Sequence, residues 1–279
     1  MKLSIITINY NNRAGLIKTI DSIVNQSYRD YEYIIIDGAS TDGSAEVIRD
    51  YADRINYWVS EPDNGIYNAM NKGIDVAKGE YCIFMNSGDI FCETNTIERV
   101  VALGLNADII CGNTIMPHRQ EPPKDITFSS LYSGSICHQC AFIRTELMKK
   151  YKYDEKYKIV SDRKFFVQAL ILDNCSYKTV DVDIVEYDIN GFSANNRALS
   201  DYEYSCVLEE LIPERIRLDY GRRSFGGLYG DTDYEKFFIE IGKRNYRGLV
   251  YTISNMILRL ISIFKRSATF SRIFPLRLK

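Results

Sequence analysis

Apolar residues follow two spacings along this chain, and the switches between them mark out alternating strands and helices. Residues 3–8 are a β-branched run, residues 14–25 carry Leu16, Ile17, Ile20, Ile23 and Val24 at helical spacing, and residues 33–37 are apolar again, which predicts β-α-β. The turn-rich loop of residues 37–44 leads into a helix near Ser44 with Val47, Ile48 and Tyr51 facing inward, and a strand follows near residues 57–59. Residues 60–89 carry the most explicit pattern. There Ile66, Ala69, Met70, Gly73, Ile74 and Ala77 share one helical face, while Asn68, Asn71, Lys72 and Asp75 share the opposite one. Gly79 is placed to end that helix, residues 81–85 read as a buried strand, and Asn86-Ser87-Gly88-Asp89 sets a carboxylate at its carboxyl end.

Strands alternating with helices of this length predict a mainly parallel sheet with helices on both sides, and the right-handed crossovers collect the loops on one edge. Ligands of open α/β sheets bind there. Past Asp89 the alternation loosens. Strands are expected over residues 108–111 and 141–144, a loop over the proline-rich residues 117–124, a helix over residues 161–172 and a strand over residues 177–187. From Leu199 the pattern is helical, broken by a glycine-rich loop at residues 221–230. A catalytic domain of residues 1–205 and a helical, basic region of residues 206–279 follow.

Composition is that of an ordinary globular protein, with 46% hydrophobic and 26% charged residues, and it excludes disordered and low-complexity classes. The net charge of −2 conceals an asymmetry: residues 241–279 hold nine Lys or Arg and no Asp or Glu, which leaves −11 on the remainder. Seven cysteines without framework spacing point to reduced thiols, and the N-terminus reads as a first strand instead of a signal peptide, so the expected location is cytoplasmic. Cys137-His138-Gln139-Cys140 forms one CxxC, which suits core packing, a redox pair or half of a zinc site.

No GxGxxG follows the first strand and no GxxxxGK[ST] occurs, which argues against dinucleotide and P-loop enzymes. Three carboxylates stand on the ligand edge instead: Asp37, Asp63 and Asp89. Residues 4–11, the IIIDGASTDGS loop, DNGIYNAMNKGIDVAKGEY and the NSGD turn resemble the nucleotide-binding half of family 2 glycosyltransferases, in order through about residue 195. The resemblance implies an α/β, Rossmann-like GT-A fold, an inverting reaction and a setting in bacterial surface-polysaccharide assembly. It places Ile8, Asn9 and Tyr10 against the base, gives Asp37 hydrogen bonds to base or ribose, and lines the nucleotide pocket with Asp63, Asn64 and Gly65. It also sets Asn68, Asn86 and Ser87 on the donor side, and Lys72 within reach of the diphosphate.

The family's metal-holding Asp-x-Asp turn aligns with Asn86-Ser87-Gly88-Asp89, so Asp89 is the expected ligand of Mn2+ or Mg2+, with Asn86 as a neutral oxygen. A hydroxyl nucleophile also needs a base. Asp162 opens a helix, where capping alone suits it. The segment from Tyr153 to Asp162 resembles the family's acceptor-side segment and assigns Asp162 as that base. By the same resemblance His138 orients phosphate or sugar, and Gly191-Phe192-Ser193 lies near the diphosphate.

The tail carries its own signature. Leu249, Val250, Ile253, Met256, Ile257, Leu260, Ile261 and Phe264 form a helical stripe, with Arg247, Arg259 and Arg266 largely off it. Interior arginines argue against a spanning helix, and a basic amphipathic helix points to an anionic membrane surface, the alternative being a stripe packed on the catalytic domain or on a second subunit. Nucleic acid is excluded by the lack of an RNA-binding motif on an acidic body. The expected activity is sugar transfer from a nucleotide donor, a UDP-sugar, to a saccharide hydroxyl, with an undecaprenyl-linked glycan as acceptor. The competing readings are a sugar nucleotidyltransferase, disfavoured by Asn11-Asn12-Arg13-Ala14-Gly15 in place of a glycine-rich basic loop, and a non-catalytic nucleotide-sugar-binding protein.

Overall fold

The computed structural model describes residues 2–188 and 196–223. In chain order the elements are β1 (Leu3–Asn9), α1 (Arg13–Val24), β2 (Tyr31–Asp37), α2 (Ser44–Asp50), β3 (Tyr57–Ser60), α3 (Ile66–Val76), β4 (Tyr81–Phe84), β5 (Ile90–Phe91), α4 (Thr96–Ala102), β6 (Ile109–Met116), β7 (His118–Gln120), α5 (Phe128–Ser133), β8 (Ala141–Arg144), α6 (Thr145–Tyr151), α7 (Ser161–Phe166), β9 (Tyr177–Glu186), α8 (Arg197–Leu211) and α9 (Glu214–Arg223). A first compact unit runs through Pro213 and a second begins at Glu214. Residue 205, the boundary expected from sequence, lies inside α8, whose Tyr204, Val207 and Leu208 are buried in the core of the first unit.

The strands order as β3-β2-β1-β4-β8-β6-β9-β5, with β7 paired to β6. The first half is parallel throughout, β3 to β4, and the second half is mixed: β8 runs antiparallel to both β4 and β6, and β9 is parallel to β6. Helices cover both faces, which is why β2 is apolar at successive positions and not at alternate ones. Tyr33 and Ile35 pack with Leu16, Ile20 and Val47 on one side, and Ile34 and Ile36 pack with Met70, Ile74 and Phe166 on the other.

The 60–89 segment departs from its sequence reading in two places. The helix α3 ends at Val76, three residues before Gly79. A Cβ on Gly79 would lie 2.4 Å from the Leu3 carbonyl carbon and 2.5 Å from the Ser4 nitrogen, so this glycine lets the chain enter β4 hard against β1. Asn71 belongs to the inside, because its amide spans Tyr153, donating 2.8 Å to the carbonyl and accepting 2.9 Å from the N–H. A third difference is β7, in the stretch expected to be loop. Its prolines, Pro117, Pro122 and Pro123, flank the strand instead of interrupting it, and Arg119 fastens it to Asp181 and Asp183 of β9. Residues 167–172 widen into π turns after α7. The expected loop at 221–230 begins within α9, and its remainder, Gly191-Phe192-Ser193 and the amphipathic tail stripe lie outside the described residues.

Candidate active site

The carboxyl ends of β1, β2 and β4 meet through one network. Asp37 is fully buried and accepts from Asn9 Nδ2 (2.7 Å), Ser40 Oγ (2.6 Å), the Ser40 N–H (3.0 Å) and Ser60 Oγ (2.5 Å). Four donors surround this carboxylate, so it ties strand ends together from behind the cavity and does not line it. Asn9 turns its other side to the next strand, where its Oδ1 accepts from Ser87 Oγ at 2.7 Å. Ahead of Asp37, Gly38 faces the cavity between Tyr10 and Asp63. A Cβ on Gly38 would stand 2.5 Å from Asp63 Oδ2 and 3.2 Å from Tyr10 Cδ2, leaving space for a backbone only.

The loop that starts α3 is shaped by its own side chains. Asp63 Oδ1 accepts the Gly65 N–H at 2.8 Å and Asn68 Oδ1 accepts the Asn64 N–H at 3.2 Å. These residues and the exposed Tyr10 ring line the cavity together with Ile8 and Asn9. Lys72 does not join them. Its ammonium donates to Glu61 (2.7 Å) and to the Pro62 carbonyl (3.1 Å), behind the loop, so the expected reach toward a diphosphate is not what the side chain does here.

After β4, the 86–89 turn is pinned by Ser87 N–H to the Ile8 carbonyl (3.2 Å), Gly88 N–H to Thr19 Oγ1 (3.0 Å) and Thr19 Oγ1 to the Asp89 carbonyl (2.8 Å). Asp89 is only 3% exposed and its Oδ1 accepts the Asp188 N–H at 2.9 Å. Burial pushes its carboxyl up to about 6, with Asp188 adding like charge, while the Asp188 N–H, the His138 charge and Gln139 hold it from rising further. The Asp188 carboxylate lies against Gly88, 2.7 Å from where a Cβ would stand. Asn86 Oδ1 is buried without a hydrogen-bond partner. Among the described residues, no group of three or more His, Cys, Asp or Glu forms a ready metal site, and all seven cysteines are free thiols.

On the other wall, His138 sits in a short 3-10 turn before β8, with Nδ1 3.1 Å from Asp162 Oδ2 and Nε2 3.4 Å from Asn86 Nδ2. A neutral ring with its proton on Nδ1 satisfies both contacts. Asp162 is the second residue of α7, and its Oδ1 lies 3.0 Å from the Tyr67 hydroxyl. It is the acidic residue in the first turn of α7, where the helix's positive end favours a carboxylate, and its side-chain partners are Tyr67 and His138. Burial alone would push Asp162 up, but the hydrogen bond and charge of His138 hold it below the usual carboxylate range. Burial likewise presses on His138, and the bond and charge of Asp162 raise it above an ordinary imidazole.

Asp162, His138, Asn86 and Asp89 thus run as one line across a single cavity of about 1320 Å³. That volume exceeds the roughly 300–1,000 Å³ of a one-ligand pocket and leaves room for two substrates. Sequence reading missed Tyr67, Asp188 and Gln139. Tyr67 and Gln139 stood in recognised segments, Tyr67 one position from residues assigned to either helical face and Gln139 inside the CxxC, whereas Asp188 lay beyond them.

Known proteins resemble this chain in sequence and in fold. A PGL/p-HBAD biosynthesis glycosyltransferase of Mycobacterium bovis is 29% identical over 211 residues, covering 72% of this chain and 81% of that protein. The crystal structure of Staphylococcus aureus TarS 1–349 in complex with UDP-GlcNAc superposes with a TM-score of 0.60 at 19% identity, over 70% of this chain and 61% of that one. The mannosyltransferase PcManGT from Pyrobaculum calidifontis, in complex with GDP-Man and Mn2+, gives 0.52 at 18% identity, over 64% and 55%. The fold is GT-A, mixed in its second half. The model of "Glycosyl transferase family 2" matches residues 4–162, from the first strand to the Asp162 that closes the line across the cavity, and the chain belongs to that family.

Proposed function

We propose that the chain transfers a sugar from a UDP-sugar to a hydroxyl of a saccharide acceptor, with inversion at the anomeric carbon. The observation that carries the reading is Asp162 facing, across one cavity and through His138 and Asn86, the turn that ends in Asp89. Ile8, Asn9, Tyr10, Asp63, Asn64 and Gly65 form the nucleotide end, with Asp37 holding their strands in register and Asn68 fixing the loop. Asp162, ionised and partnered, accepts the acceptor's proton as its oxygen attacks the anomeric carbon. The bond from that carbon to the diphosphate breaks, and the nucleoside diphosphate leaves with the electron pair. His138, held beside both walls, orients the departing phosphate.

The oxygens around Gly88 fit a hard divalent cation: the Asp89 carboxylate, the Asp188 carboxylate and the unpartnered Asn86 Oδ1. Such an ion supplies positive charge beside the diphosphate as negative charge develops there. The basic residues of the tail support work on a lipid-linked acceptor at an anionic membrane surface in the cytoplasm. Among the described residues no helix is long and apolar enough to cross a membrane.

The test is a panel of UDP- and GDP-sugars with Mn2+ and a membrane-lipid acceptor extract, read as free nucleoside diphosphate. Release from a UDP-sugar that depends on the acceptor supports the reading. No release from any donor overturns it.

A further inference from the structure

The carboxylate of Glu203, on α8, lies forty-one residues beyond the end of the family match and connects to Asp162 through intervening backbone and Tyr67. Its Oε1 accepts the Lys158 N–H and its Oε2 the Ile159 N–H, both at 2.9 Å. The Ile159 carbonyl accepts the Tyr67 hydroxyl at 2.6 Å, and the same hydroxyl oxygen stands 3.0 Å from Asp162 Oδ1. Glu203 and Tyr67 are 7% and 5% exposed, so water competes little for these bonds. The segment between α6 and α7 that Glu203 holds forms no helix or strand of its own and needs an outside partner for those N–H groups. Glu210, two turns along α8, adds Lys164 Nζ (2.5 Å) and the Tyr157 hydroxyl (2.9 Å) to the same clamp.

A phenol has one proton, and Tyr67 has two oxygens within reach. With Asp162 ionised, the proton serves Oδ1 or the Ile159 carbonyl. With Asp162 protonated, Asp162 donates to the Tyr67 oxygen while Tyr67 donates to Ile159. The position therefore satisfies the carboxyl before and after it takes a proton, provided the Ile159 carbonyl stays where Glu203 sets it.

We propose that Glu203 is a positioning residue for Asp162, acting through the 158–159 backbone and Tyr67 to hold Oδ1 in place in both protonation states. The proposal rests on the reading of Asp162 as the base. It makes α8 part of the catalytic unit, although no side chain of α8 touches Asp162 in the network.

Wild type, Glu203→Gln, Glu203→Ala and Tyr67→Phe are compared for kcat, donor KM and the pH profile of kcat in acceptor-dependent nucleotide release, with thermal unfolding and UDP titration calorimetry beside them. Folded Glu203→Gln and Tyr67→Phe are expected to lose about tenfold or more in kcat with donor KM within about threefold. Loss of the Tyr67 hydroxyl also moves the acidic limb to higher pH, because that bond favours the ionised carboxyl. A purely structural role predicts lower unfolding temperatures with kcat and the limb unchanged, and that result overturns the proposal. If the Glu203 variants fail to fold, Tyr67→Phe alone decides. An inactive wild type withdraws the sugar-transfer reading and this one with it, whereas an active wild type with unaffected variants removes only the positioning role.

Discussion

His138 Nδ1 lies 3.1 Å from Asp162 Oδ2, and each group shifts the other toward its charged form against the pull of burial. Asp162, held low, stabilises the fold above the ordinary carboxylate pKa and loses that contribution as pH falls through its own lower value. His138, held high, contributes fully below pH ~6.5 and loses it as pH rises through its raised value. Replacing His138 with Gln leaves Asp162 with the burial and without its main counterweight, so its pKa rises. The acidic limb of kcat should move to higher pH by about one unit or more. A limb that stays in place would separate Asp162 from the titration that governs rate.

Asp162→Asn removes the proton acceptor and keeps the shape. Turnover should fall by about 10²–10⁴-fold while UDP affinity, measured by calorimetry, stays near wild type. Retained turnover would remove Asp162 as the base.

Asp89 sets function against stability. Its carboxyl is raised from 3.8 to about 6, so the folded state favours the protonated form and loses stability as pH rises through that value. The difference amounts to at most about 3 kcal/mol for a fully ionised Asp89 without a bound cation. Asp89→Asn keeps an oxygen for the Asp188 N–H and removes the charge. In chelator at pH 8 the variant should unfold at higher temperature than wild type, and at pH 4 the two should converge. Added Mn2+ should raise the wild-type transition at pH 8 and leave the variant unchanged; equal responses would place the cation elsewhere.

Much of the fold and of the cavity is legible in the amino-acid sequence, and the exceptions share a cause. β2 declares itself because both its faces are buried, and the 86–89 turn because glycine and carboxylate follow a strand end. Asn71, Gly79 and β7 mislead because each is set by a partner far along the chain: the Tyr153 backbone, β1 and β6. Asp188 and Glu203 carry no local pattern. One stands beside Gly88 only once β9 pairs with β5 and β6, and the other depends on α8 packing over the segment before α7. Periodicity records which face is buried but does not record what it is buried against.

Lys72 marks the limit of motif reasoning. It occupies the expected helix position, yet its bonds to Glu61 and Pro62 turn it from the cavity, and its side chain keeps 28% exposure. Lys72→Ala should change donor KM by no more than about threefold and stability by about 0–1 kcal/mol, as for an exposed pair. A large rise in KM, read in the nucleotide-release assay, would show that the ammonium swings inward when donor binds.

Two glycines should fail in different ways on gaining one carbon. At Gly79 the added Cβ meets backbone of β1 at 2.4 and 2.5 Å, atoms fixed by pairing on both sides, so Gly79→Ala must pry strands apart. Overpacking of that kind costs about 1–3 kcal/mol or more and should appear as a lower urea midpoint with little effect on the KM of whatever protein folds. At Gly38 the obstacles are the ends of two side chains, Asp63 Oδ2 and Tyr10 Cδ2, which line the cavity and can swing aside. Gly38→Ala should therefore spare the fold, within about 1 kcal/mol, and weaken nucleotide binding by about tenfold or more, because the displaced side chains occupy the space meant for the ligand. If Gly38→Ala bound UDP normally, the slot between Tyr10 and Asp63 would not be where the nucleotide lies.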